Sequence, residues 1–439
     1  MKRLLKKIIP PSLILFYHQC LAVSAALFYH YPSDKLMVIG VTGTNGKSTV
    51  VNLVAKILES AGFKVGLTST YNFKIGDKEW LNDQKMTMLG RFQLQKYLKR
   101  MVKEGCQYAV IETSSEGIKQ FRHLGLNYDI AIFTNLTPEH LESHGSFENY
   151  KEAKGKLFFH LSQSKKKNIE GKSIKKVAII NADDSYAEYF FSFPADEKYG
   201  YSLHRDKINS EIKLVRPEKF SVSKEGSQFT YQDMSFNLKL LGEFNLYNAL
   251  AALTLGVAQN ISLEKIKTAL EPVESLPGRL EFIDEGQPFK VLIDYAPEVE
   301  SMKKLYEVLA LLSKKRIIHV LGSCGGGRDK ARRPILGEMA GKNAQVVIVT
   351  NEDPYDEDPM MIINQVAAGA EKGGKVREKD LFIILDREEA IKFALKQAET
   401  GDLVLLTGKG AEQAICLENG RKIPWDERSV VRKILADLK

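Results

Sequence analysis

A glycine-rich stretch at residues 38–49, which reads VIGVTGTNGKST, constrains the fold of this chain more than any other part of its sequence. An apolar run at residues 36–39 leads into it, and a segment of helical character follows at residues 50–60. A strand, a glycine-rich turn and a helix in this order form a cradle for phosphate, because the N–H groups of the turn and the helix N-terminus present partial positive charge. The stretch therefore predicts a phosphate-binding unit of an α/β protein.

Two polar residues of this loop suit a nucleoside triphosphate. Lys47 would place a cation near the β- and γ-phosphates, and the Ser48 hydroxyl could bind Mg²⁺. The usual spelling G-x-x-x-x-G-K-[ST] would put its first glycine at Val41, so the motif is better written G-T-N-G-K-S-T. The predicted nucleotide-binding residues are Gly43, Thr44, Asn45, Gly46, Lys47, Ser48 and Thr49.

Composition narrows the class of protein. The 439 residues are enough for two or three domains, and an apolar fraction of 44% is typical of a globular protein with a large core. The net charge of +8 suits anionic substrates such as nucleotides, and no basic run with interleaved aromatic residues indicates a nucleic-acid surface. The four cysteines are scattered without metal-type spacing, which favours a reducing compartment and no disulfide framework.

The N-terminal 31 residues allow several interpretations. Residues 1–7 are basic, and residues 11–31 contain no charged side chain and are largely apolar. An ATP site that begins near residue 36 argues against a signal peptide, and positive charge on the N-terminal side argues against a membrane span. Two interpretations stay open: a helix packed on the protein, which we favour, and a helix on the inner membrane face with its lysines near anionic lipid.

Strand and helix patterns alternate along the first two thirds of the chain, with β-rich runs at residues 64–68, 108–111, 130–133 and 177–180. This alternation predicts a mostly parallel sheet with helices on both faces. Residues 211–241 read instead as short alternating segments and predict a small antiparallel subsheet, followed by a helix at residues 245–259. The lysine-rich residues 162–176 predict a solvated loop.

The sequence LPGR at residues 276–279 interrupts this pattern, and strand–helix alternation then resumes to the end of the chain. A second, smaller, doubly wound domain is the expected result. We therefore predict an apolar N-terminal segment at residues 1–35, a central ATP-binding domain at residues 36–275 and a C-terminal domain at residues 276–439.

Three further segments could carry chemistry. Glu112 ends a buried strand beside the phosphate loop, where a carboxylate is placed to hold Mg²⁺. The segment TNLTPEHLESHG at residues 134–145 contains two histidines, one of which could complete a metal shell, and the absence of nearby cysteines argues against zinc. Lys154, in YKEAKGKLF, reads by itself as a solvated lysine on an amphipathic helix.

Taken in order, the motifs GTNGKST, TN..EHLESHG, YKEAK, GEFNLYN, PGRLE, DYA, GGGRDKARRP and GKGAE, together with Glu112, resemble those of the Mur ligases. The likeness is greatest to the UDP-N-acetylmuramoyl-tripeptide synthetases, and it extends from about residue 36 to the C-terminus. The resemblance implies a central P-loop ATPase-type sheet and a Rossmann-like C-terminal domain that binds an amino acid. It also implies ATP and Mg²⁺ as cofactors and a monomeric, cytoplasmic enzyme.

The family's reaction explains the residue types. An acceptor carboxylate attacks the γ-phosphate of ATP, and the amine of an amino acid displaces phosphate from the acyl phosphate to give an amide, ADP and phosphate. The protein has to clamp charge and align three reactants. The resemblance assigns phosphates and Mg²⁺ to Lys47 and Ser48, metal ligation to Glu112 and His140, and carbamylation by CO₂ to Lys154. It places Asn245 and Asn248 near adenine, Arg279 and Asp294 near phosphates and ribose, and substrate contacts at Thr87, Ser114, Arg328, Glu352, Asp353, Tyr355, Gly408 and Glu412.

Two departures from the family pattern bear on the substrates. Only about 35 residues precede the ATP loop, where tripeptide synthetases carry a domain of roughly one hundred residues that binds the uridine nucleotide. A lipid-linked acceptor therefore becomes an alternative. The family's diaminopimelate reader D-N-P-R is replaced by Glu352-Asp353-Pro354-Tyr355, and a tyrosine cannot pair bidentately with a carboxylate. The two acids would attract an ammonium, so the sequence favours lysine or another diamino acid without a second carboxylate.

Smaller departures indicate a divergent branch. They are Glu116, Glu139, Glu142, Pro297, Gly327 and Ala411. The leading hypothesis is an ADP-forming amide ligase of peptidoglycan precursor synthesis that acts on a muramoyl-peptide-type carboxylate. The alternatives are a ligase for a lipid-linked precursor, a folylpolyglutamate-synthase-like ligase, and an inactive nucleotide-binding scaffold at the membrane.

Overall fold

The computed structural model describes residues 10–138 and 144–438, and of residues 11 and 12 it describes only the backbone. The helices of these residues are α1 Pro11–Phe28, α2 Lys47–Ser60, α3 Arg91–Lys103, α4 Ser115–Lys119, α5 Phe147–Gln163, α6 Ala187–Phe191, α7 Glu243–Ala258, α8 Leu263–Leu270, α9 Val299–Leu311, α10 Arg332–Asn343, α11 Pro359–Lys372, α12 Arg387–Gln397 and α13 Glu427–Asp437.

The strands up to the middle of the chain are β1 Met37–Thr42, β2 Val65–Thr68, β3 Asn72–Ile75, β4 Lys78–Leu81, β5 Tyr108–Glu112, β6 Ile130–Phe133, β7 Asn168–Ile169, β8 Lys172–Ser173, β9 Val177–Asn181, β10 Glu197–Tyr201 and β11 Ile212–Val215. Those that follow are β12 Lys219–Ser223, β13 Gly226–Tyr231, β14 Met234–Leu238, β15 Glu281–Ile283, β16 Lys290–Asp294, β17 Ile317–Leu321, β18 Val346–Val349, β19 Leu381–Ile383, β20 Leu403–Thr407, β21 Ala414–Cys416 and β22 Lys422–Pro424.

A nine-stranded sheet, hereafter the large sheet, has the order β11-β10-β9-β6-β1-β5-β2-β3-β4. Its strands are parallel from β11 to β2, and β3 and β4 add an antiparallel edge. Strand β1 is buried on both faces, as its continuous apolar sequence requires. One core packs the sheet against α2 and α7, and another packs it against α3 and α5. The α/β prediction is confirmed.

A six-stranded sheet, hereafter the second sheet, has the order β15-β16-β20-β17-β18-β19. Its strands are parallel except for β15, which pairs antiparallel with β16. Helices cover both faces through two further cores. The turn at residues 276–279 lies between the two sheets and closes with a β-bridge from Leu276 to Arg279.

The antiparallel subsheet predicted at residues 211–241 is smaller than expected. Strands β12, β13 and β14 form it, whereas β11 pairs parallel with β10 at the edge of the large sheet. A short alternating run does not specify which sheet it joins, because one polar and one apolar face suit both positions. The prediction was therefore wrong for β11.

The lysine-rich segment is not the fully solvated loop that we predicted. Lys167 Nζ lies 2.5 Å from Asp129 Oδ2 and Lys176 Nζ lies 3.0 Å from Asp129 Oδ1, with all three side chains buried. Burial lowers the pKa of Lys167 to about 8, although Asp129 opposes this shift. Two lysines fold inward because the Asp129 carboxylate, at the start of β6, would otherwise be buried without a counter-charge.

Helix α1 packs along α3. Three small residues of α1, Ala22, Ala25 and Ala26, are fully buried, and Ala22 and Ala26 lie against Gly125. Its other face is apolar and open to solvent, and Phe16 and Phe28 are 62% and 67% exposed. Among the helices that the structure describes, none has the length and apolar character needed to cross a membrane.

Candidate functional site

The phosphate loop joins β1 to α2 at the carboxyl edge of the large sheet. Gly46 has a φ of +81°, and a Cβ at this position would overlap the Asn248 side chain on α7. Asn135 holds the loop from the next strand, since its side-chain oxygen accepts from Asn45 N–H at 2.9 Å and its carbonyl accepts from Thr44 N–H at 2.8 Å. Hydrogen bonds from the loop backbone to the side chain and the carbonyl of Asn135 therefore fix the loop at this edge of the sheet.

Glu112 is placed beside this loop by β5, which pairs directly with β1. Its side chain is buried, and Oε2 accepts a hydrogen bond from the Ser48 hydroxyl at 2.7 Å and another from Thr70 N–H at 2.7 Å. Oε1 accepts from the Thr70 hydroxyl at 2.9 Å. The predicted metal residues Ser48 and Glu112 are thus in direct contact, and Thr70 is a third oxygen-bearing partner that sequence reasoning missed.

Lys154 projects from α5 into the same loop. Its ammonium is almost completely buried, donates to the Gly43 carbonyl at 2.6 Å, and lies 4.3 Å from the centre of the Tyr150 ring. The Tyr150 hydroxyl in turn lies 3.1 Å from the Thr44 hydroxyl. Lys154 is therefore part of the phosphate-loop cluster rather than a solvated helix residue, and Lys47 bonds within the loop to the Thr44 carbonyl at 2.7 Å.

The histidine segment is only partly described. Three residues of interest, Glu139, His140 and Glu142, lie outside the described residues, so His140 stays a predicted ligand. The His144 ring is buried, with Nε2 3.4 Å from Glu116 Oε1, and burial lowers its pKa. Ser114 caps the short helix α4 by accepting from Gly117 N–H at 3.1 Å.

The residues expected near adenine and ribose come from α7 and β16. Asn248 lies against Gly46 and donates to Asn245 at 3.0 Å. Asp294 ends β16 and accepts from Leu280 N–H at 2.7 Å, and burial raises the pKa of its carboxyl group. The Arg279 guanidinium stacks on Tyr295, 4.7 Å from the ring centre. Burial raises the pKa of the Tyr71 hydroxyl, and the charge of Arg279 partly opposes this increase.

A second cluster lies at the carboxyl edge of the second sheet. Asp353 follows β18, and its Oδ1 accepts from Lys409 Nζ at 3.0 Å and from Cys416 N–H at 2.7 Å. Lys409 Nζ also donates to Glu412 Oε2 at 2.8 Å. The fourth member is Lys85 from the large-sheet side, whose Nζ lies 2.5 Å from Asp353 Oδ2 and 3.1 Å from Glu412 Oε2.

Glu352 lies beside this cluster and accepts from the Cys324 thiol at 2.7 Å. Burial raises the pKa of the Glu352 carboxyl group. Gly408 has a φ of +102°, and a Cβ there would overlap the Glu352 carboxylate. Tyr355, also in the left-handed region, donates its N–H to the Cys416 carbonyl at 3.1 Å. Arg328 is solvent-exposed, on the loop before α10.

These contacts sort the predicted residues into groups. Glu112, Lys154 and Asn248 each contact the phosphate loop. Asp353 and Glu412 belong to the second cluster, and Glu352 and Gly408 lie beside it. Thr87 connects to the first group, because its hydroxyl accepts from the Thr70 hydroxyl at 3.1 Å. Sequence reasoning missed Thr70, Lys85 and Cys324, which no motif marks. Lys409 could have been noticed as the lysine of the GKGAE motif.

Glu352 and Asp353, both expected to face an incoming ammonium, differ in their present partners. Asp353 already forms ion pairs with two lysines of this chain, so an ammonium could reach it only by displacing one of them, whereas Glu352 forms no ion pair among residues 10–138 and 144–438. The sequence could not show this, because Lys85 is 268 residues away from Asp353 along the chain.

Comparison with known proteins agrees with this architecture. The family model of the Mur ligase middle domain matches residues 41–256, and that of the Mur ligase, glutamate ligase domain matches residues 278–410. The chain is 39% identical over 426 residues to the UDP-N-acetylmuramyl-tripeptide synthetase of Roseiflexus sp. (strain RS-1), with 95% of this chain and 82% of that protein covered.

Two solved structures extend the comparison. A UDP-N-acetylmuramoyl-L-alanyl-D-glutamate–2,6-diaminopimelate ligase has 30% identity and a TM-score of 0.58, with 92% of this chain and 79% of that chain covered. The folylpolyglutamate synthase of Mycobacterium tuberculosis has a TM-score of 0.65 at 16% identity, with 89% and 92% covered, and shows a shared fold alone. The chain belongs to the Mur ligase family.

Proposed function

We propose that this Mur ligase uses ATP to activate a carboxylate of a muramoyl-peptide-type acceptor and joins it to the amine of a free amino acid, in peptidoglycan precursor synthesis. Residues 36–275 would form the ATP-binding domain and residues 276–439 the amino-acid-binding domain. The single observation that carries the proposal is that Glu112 and Lys154 meet at one phosphate loop. Glu112 binds the loop residue Ser48, and Lys154 binds the loop residue Gly43. An inactive scaffold would not need buried charged groups at this position.

The reaction has two steps in this proposal. An oxygen of the acceptor carboxylate attacks the γ-phosphorus of ATP, the bond to ADP breaks, and an acyl phosphate forms. The amine then attacks the acyl carbon, phosphate leaves, and the amine gives up a proton. Lys47 and the loop N–H groups would stabilise charge on the phosphates, and Asn248, Arg279 and Asp294 would orient the nucleotide.

Mg²⁺ fits the donor set beside the loop. The Ser48 hydroxyl and the Glu112 carboxylate are hard oxygen ligands, and Thr70 holds Glu112 from the other side. His140 would add a ligand by resemblance. When bound, the metal would neutralise charge on the phosphates. Lys154 would join the site only as a carbamate, because a buried ammonium repels a cation.

For the amine substrate, we propose an amino acid with a side-chain ammonium and no second carboxylate, of which lysine is the simplest. Tyr355 stands where the family's diaminopimelate reader has arginine, so a second carboxylate would lack its bidentate partner. Three acidic side chains, Glu352, Asp353 and Glu412, lie in the same pocket and outnumber its two lysines, Lys85 and Lys409.

The test is an ADP-release screen that crosses UDP-muramoyl-dipeptide and a lipid-linked muramoyl peptide with lysine, diaminopimelate and ornithine. We expect ADP release with a muramoyl-peptide acceptor and lysine, and no release from Lys47→Ala. A further arm of the screen pairs pteroylglutamate with glutamate, and release in that arm alone would favour the folylpolyglutamate-synthase-like alternative. No release with any pair would refute the ligase proposal.

We also propose that α1 rests on an anionic membrane surface. The helix contains no charged residue, and its solvent face exposes Leu13, Phe16, Val23, Leu27 and Phe28. Lys2, Arg3, Lys6 and Lys7 precede it in the sequence and complement anionic lipid. An exposed apolar helix face next to basic residues is the pattern of an interfacial helix.

Vesicle sedimentation tests this placement. Phosphatidylglycerol vesicles should bind the protein, and Phe16→Ser with Phe28→Ser should release it, whereas Phe159→Ser, at an exposed phenylalanine of α5, should not. Neutral phosphatidylcholine vesicles should bind less. Equal binding by the double variant, or no binding by the intact protein, would refute the proposal.

A further inference from the structure

Lys85 makes an unusual connection between the two sheets. It follows β4 in a loop on the large-sheet side, yet its ammonium contacts only carboxylates of the second-sheet cluster among the described residues. Its side chain is 5% exposed, and its backbone has a φ of +50°. A lysine seldom adopts this conformation, so the loop presents the side chain in a defined direction.

The loop that carries Lys85 is anchored to the phosphate-loop cluster. Asn82 donates to the Ser69 carbonyl at 2.8 Å and to the Met86 carbonyl at 3.0 Å, which closes the turn around Lys85. Beyond the turn, Thr87 bonds to Thr70, which holds Glu112. The loop that carries Lys85 is therefore anchored to the proposed nucleotide site, while the Lys85 side chain extends into the proposed amino-acid pocket.

The cluster that Lys85 completes is balanced in charge. Two ammonium groups, on Lys85 and Lys409, face two carboxylates, on Asp353 and Glu412. Lys409 is held inside the second-sheet region by a third bond, to the Ala414 carbonyl at 2.8 Å. Lys85 has no such local tie among the described residues, so it is the cation of the pair that can leave.

We propose that Lys85 is a specificity-determining residue that occupies the subsite for the side-chain ammonium of the incoming amino acid. The inference rests on the proposed function, because it assigns this pocket to the amine substrate. A lysine substrate would place its ammonium between Asp353 and Glu412 by displacing that of Lys85. An amino acid without a side-chain cation would leave Lys85 where it is.

In this arrangement the Lys85 side chain competes with the substrate ammonium for the two carboxylates. The residue and the proposed substrate carry the same ammonium group, so both can pair with the carboxylates of Asp353 and Glu412. Removing the Lys85 charge leaves one cation and two anions in a buried site, and such a site attracts an ammonium from solution. A neutral residue at position 85 should therefore favour cationic substrates.

The experiment compares lysine with norleucine, which has the same carbon chain without the ammonium, in the ADP-release assay. For Lys85→Met, we expect the ratio of kcat/KM for lysine to that for norleucine to rise about tenfold over the wild type, mainly through a lower KM for lysine. Lys85→Arg keeps the charge and should keep the wild-type ratio. Lys422→Met is the matched control, because the exposed Lys422 touches the same loop only through the Gln84 carbonyl at 3.4 Å.

An unchanged ratio in Lys85→Met would overturn the proposal. Loss of activity with both amino acids would also overturn it, and would assign Lys85 to holding the two sheets together. These results differ from a failure of the proposed function, in which the wild-type enzyme itself would release no ADP with any amino acid.

Discussion

Glu112 and Asp353 occupy equivalent places in two sheets and are held in opposite ways. Glu112 ends a strand of the large sheet and, among the described residues, accepts hydrogen bonds only from the neutral groups of Ser48 and Thr70. Asp353 follows a strand of the second sheet and is bound by Lys85 and Lys409. Neutral donors stabilise a carboxylate without cancelling its charge, whereas ion pairs cancel it.

This difference indicates how each of the two carboxylates would bind a cation. The carboxylate beside the phosphate loop keeps its attraction for a metal ion. The carboxylate in the second cluster can bind a new cation only if one of its present partners leaves. The pKa of Asp353 is lowered because Lys409 and Lys85 outweigh its burial, which fits a permanently ionised group in a balanced cluster.

The largest expected effect is that of Glu112→Gln. The amide keeps the shape and can bond to Ser48 and Thr70, but it loses the charge that would hold the metal. We predict that ADP release falls about 10³-fold while the free energy of unfolding changes by less than about 1 kcal/mol. Kinetics across a Mg²⁺ titration and urea unfolding would measure the two values. Nearly normal activity would remove Glu112 from the proposed metal site.

Asp353→Asn should reduce stability more, and activity less, than Glu112→Gln does. It leaves Lys85 and Lys409 facing one carboxylate, and breaking a buried ion pair is strongly destabilising. We predict a loss of about 3 kcal/mol in the free energy of unfolding and a smaller loss of activity than in Glu112→Gln. Urea unfolding of both variants under the same conditions would measure it. If the two variants proved equally stable, the contrast between the clusters would be wrong.

Lys154→Ala tests whether the phosphate-loop cluster contains a carbamate. We predict an activity loss of about 10²-fold that short carboxylic acids such as acetate partly restore, because an added carboxylate can occupy the place of the carbamate. The exposed neighbour Lys156 offers a matched control as Lys156→Ala. Full activity of Lys154→Ala would exclude the carbamate.

The smallest expected effect is the pH dependence of the free energy of unfolding, and it arises from a histidine in the core of the second sheet rather than from the acidic cluster at its edge. His319 is buried in β17 between Tyr306 and Thr407, and burial lowers its pKa to about 3. The unfolded chain binds a proton near pH 6.5 and the folded chain does not, so stability is lost as pH falls below 6.5. We predict that His319 lowers the free energy of unfolding by about 2 kcal/mol at pH 5 relative to pH 7.5.

Urea unfolding at these two pH values measures that loss. His319→Gln should reduce the pH dependence, whereas His204→Gln, at an exposed histidine, should leave it unchanged. An unchanged pH dependence in His319→Gln would contradict the prediction.

Most strands could be located from the sequence, because strands such as β6 and β18 are continuous apolar runs bounded by turns. Strand β11 was assigned to the wrong sheet, and Lys167 and Lys176 were assigned to solvent. The lysines were misplaced because their partner Asp129 lies 38 and 47 residues away along the chain. Strand β11 was misplaced although β10 is the preceding strand, because a short alternating run does not specify which neighbouring strand it pairs with. Local pattern contains no information about such partners.

The sequence by itself determined the phosphate loop, because its glycines, Lys47 and Ser48 act through backbone and helix geometry that is local to residues 43–49. It also determined the family, because the motifs and their order along the chain can be recognised without knowing where they lie in the three-dimensional structure. Only the tertiary structure decided how the charges of the second cluster are paired. Lys85 reaches Asp353 across 268 residues, and whether a buried carboxylate is open or paired depends on which side chains the fold brings within about 3 Å of it.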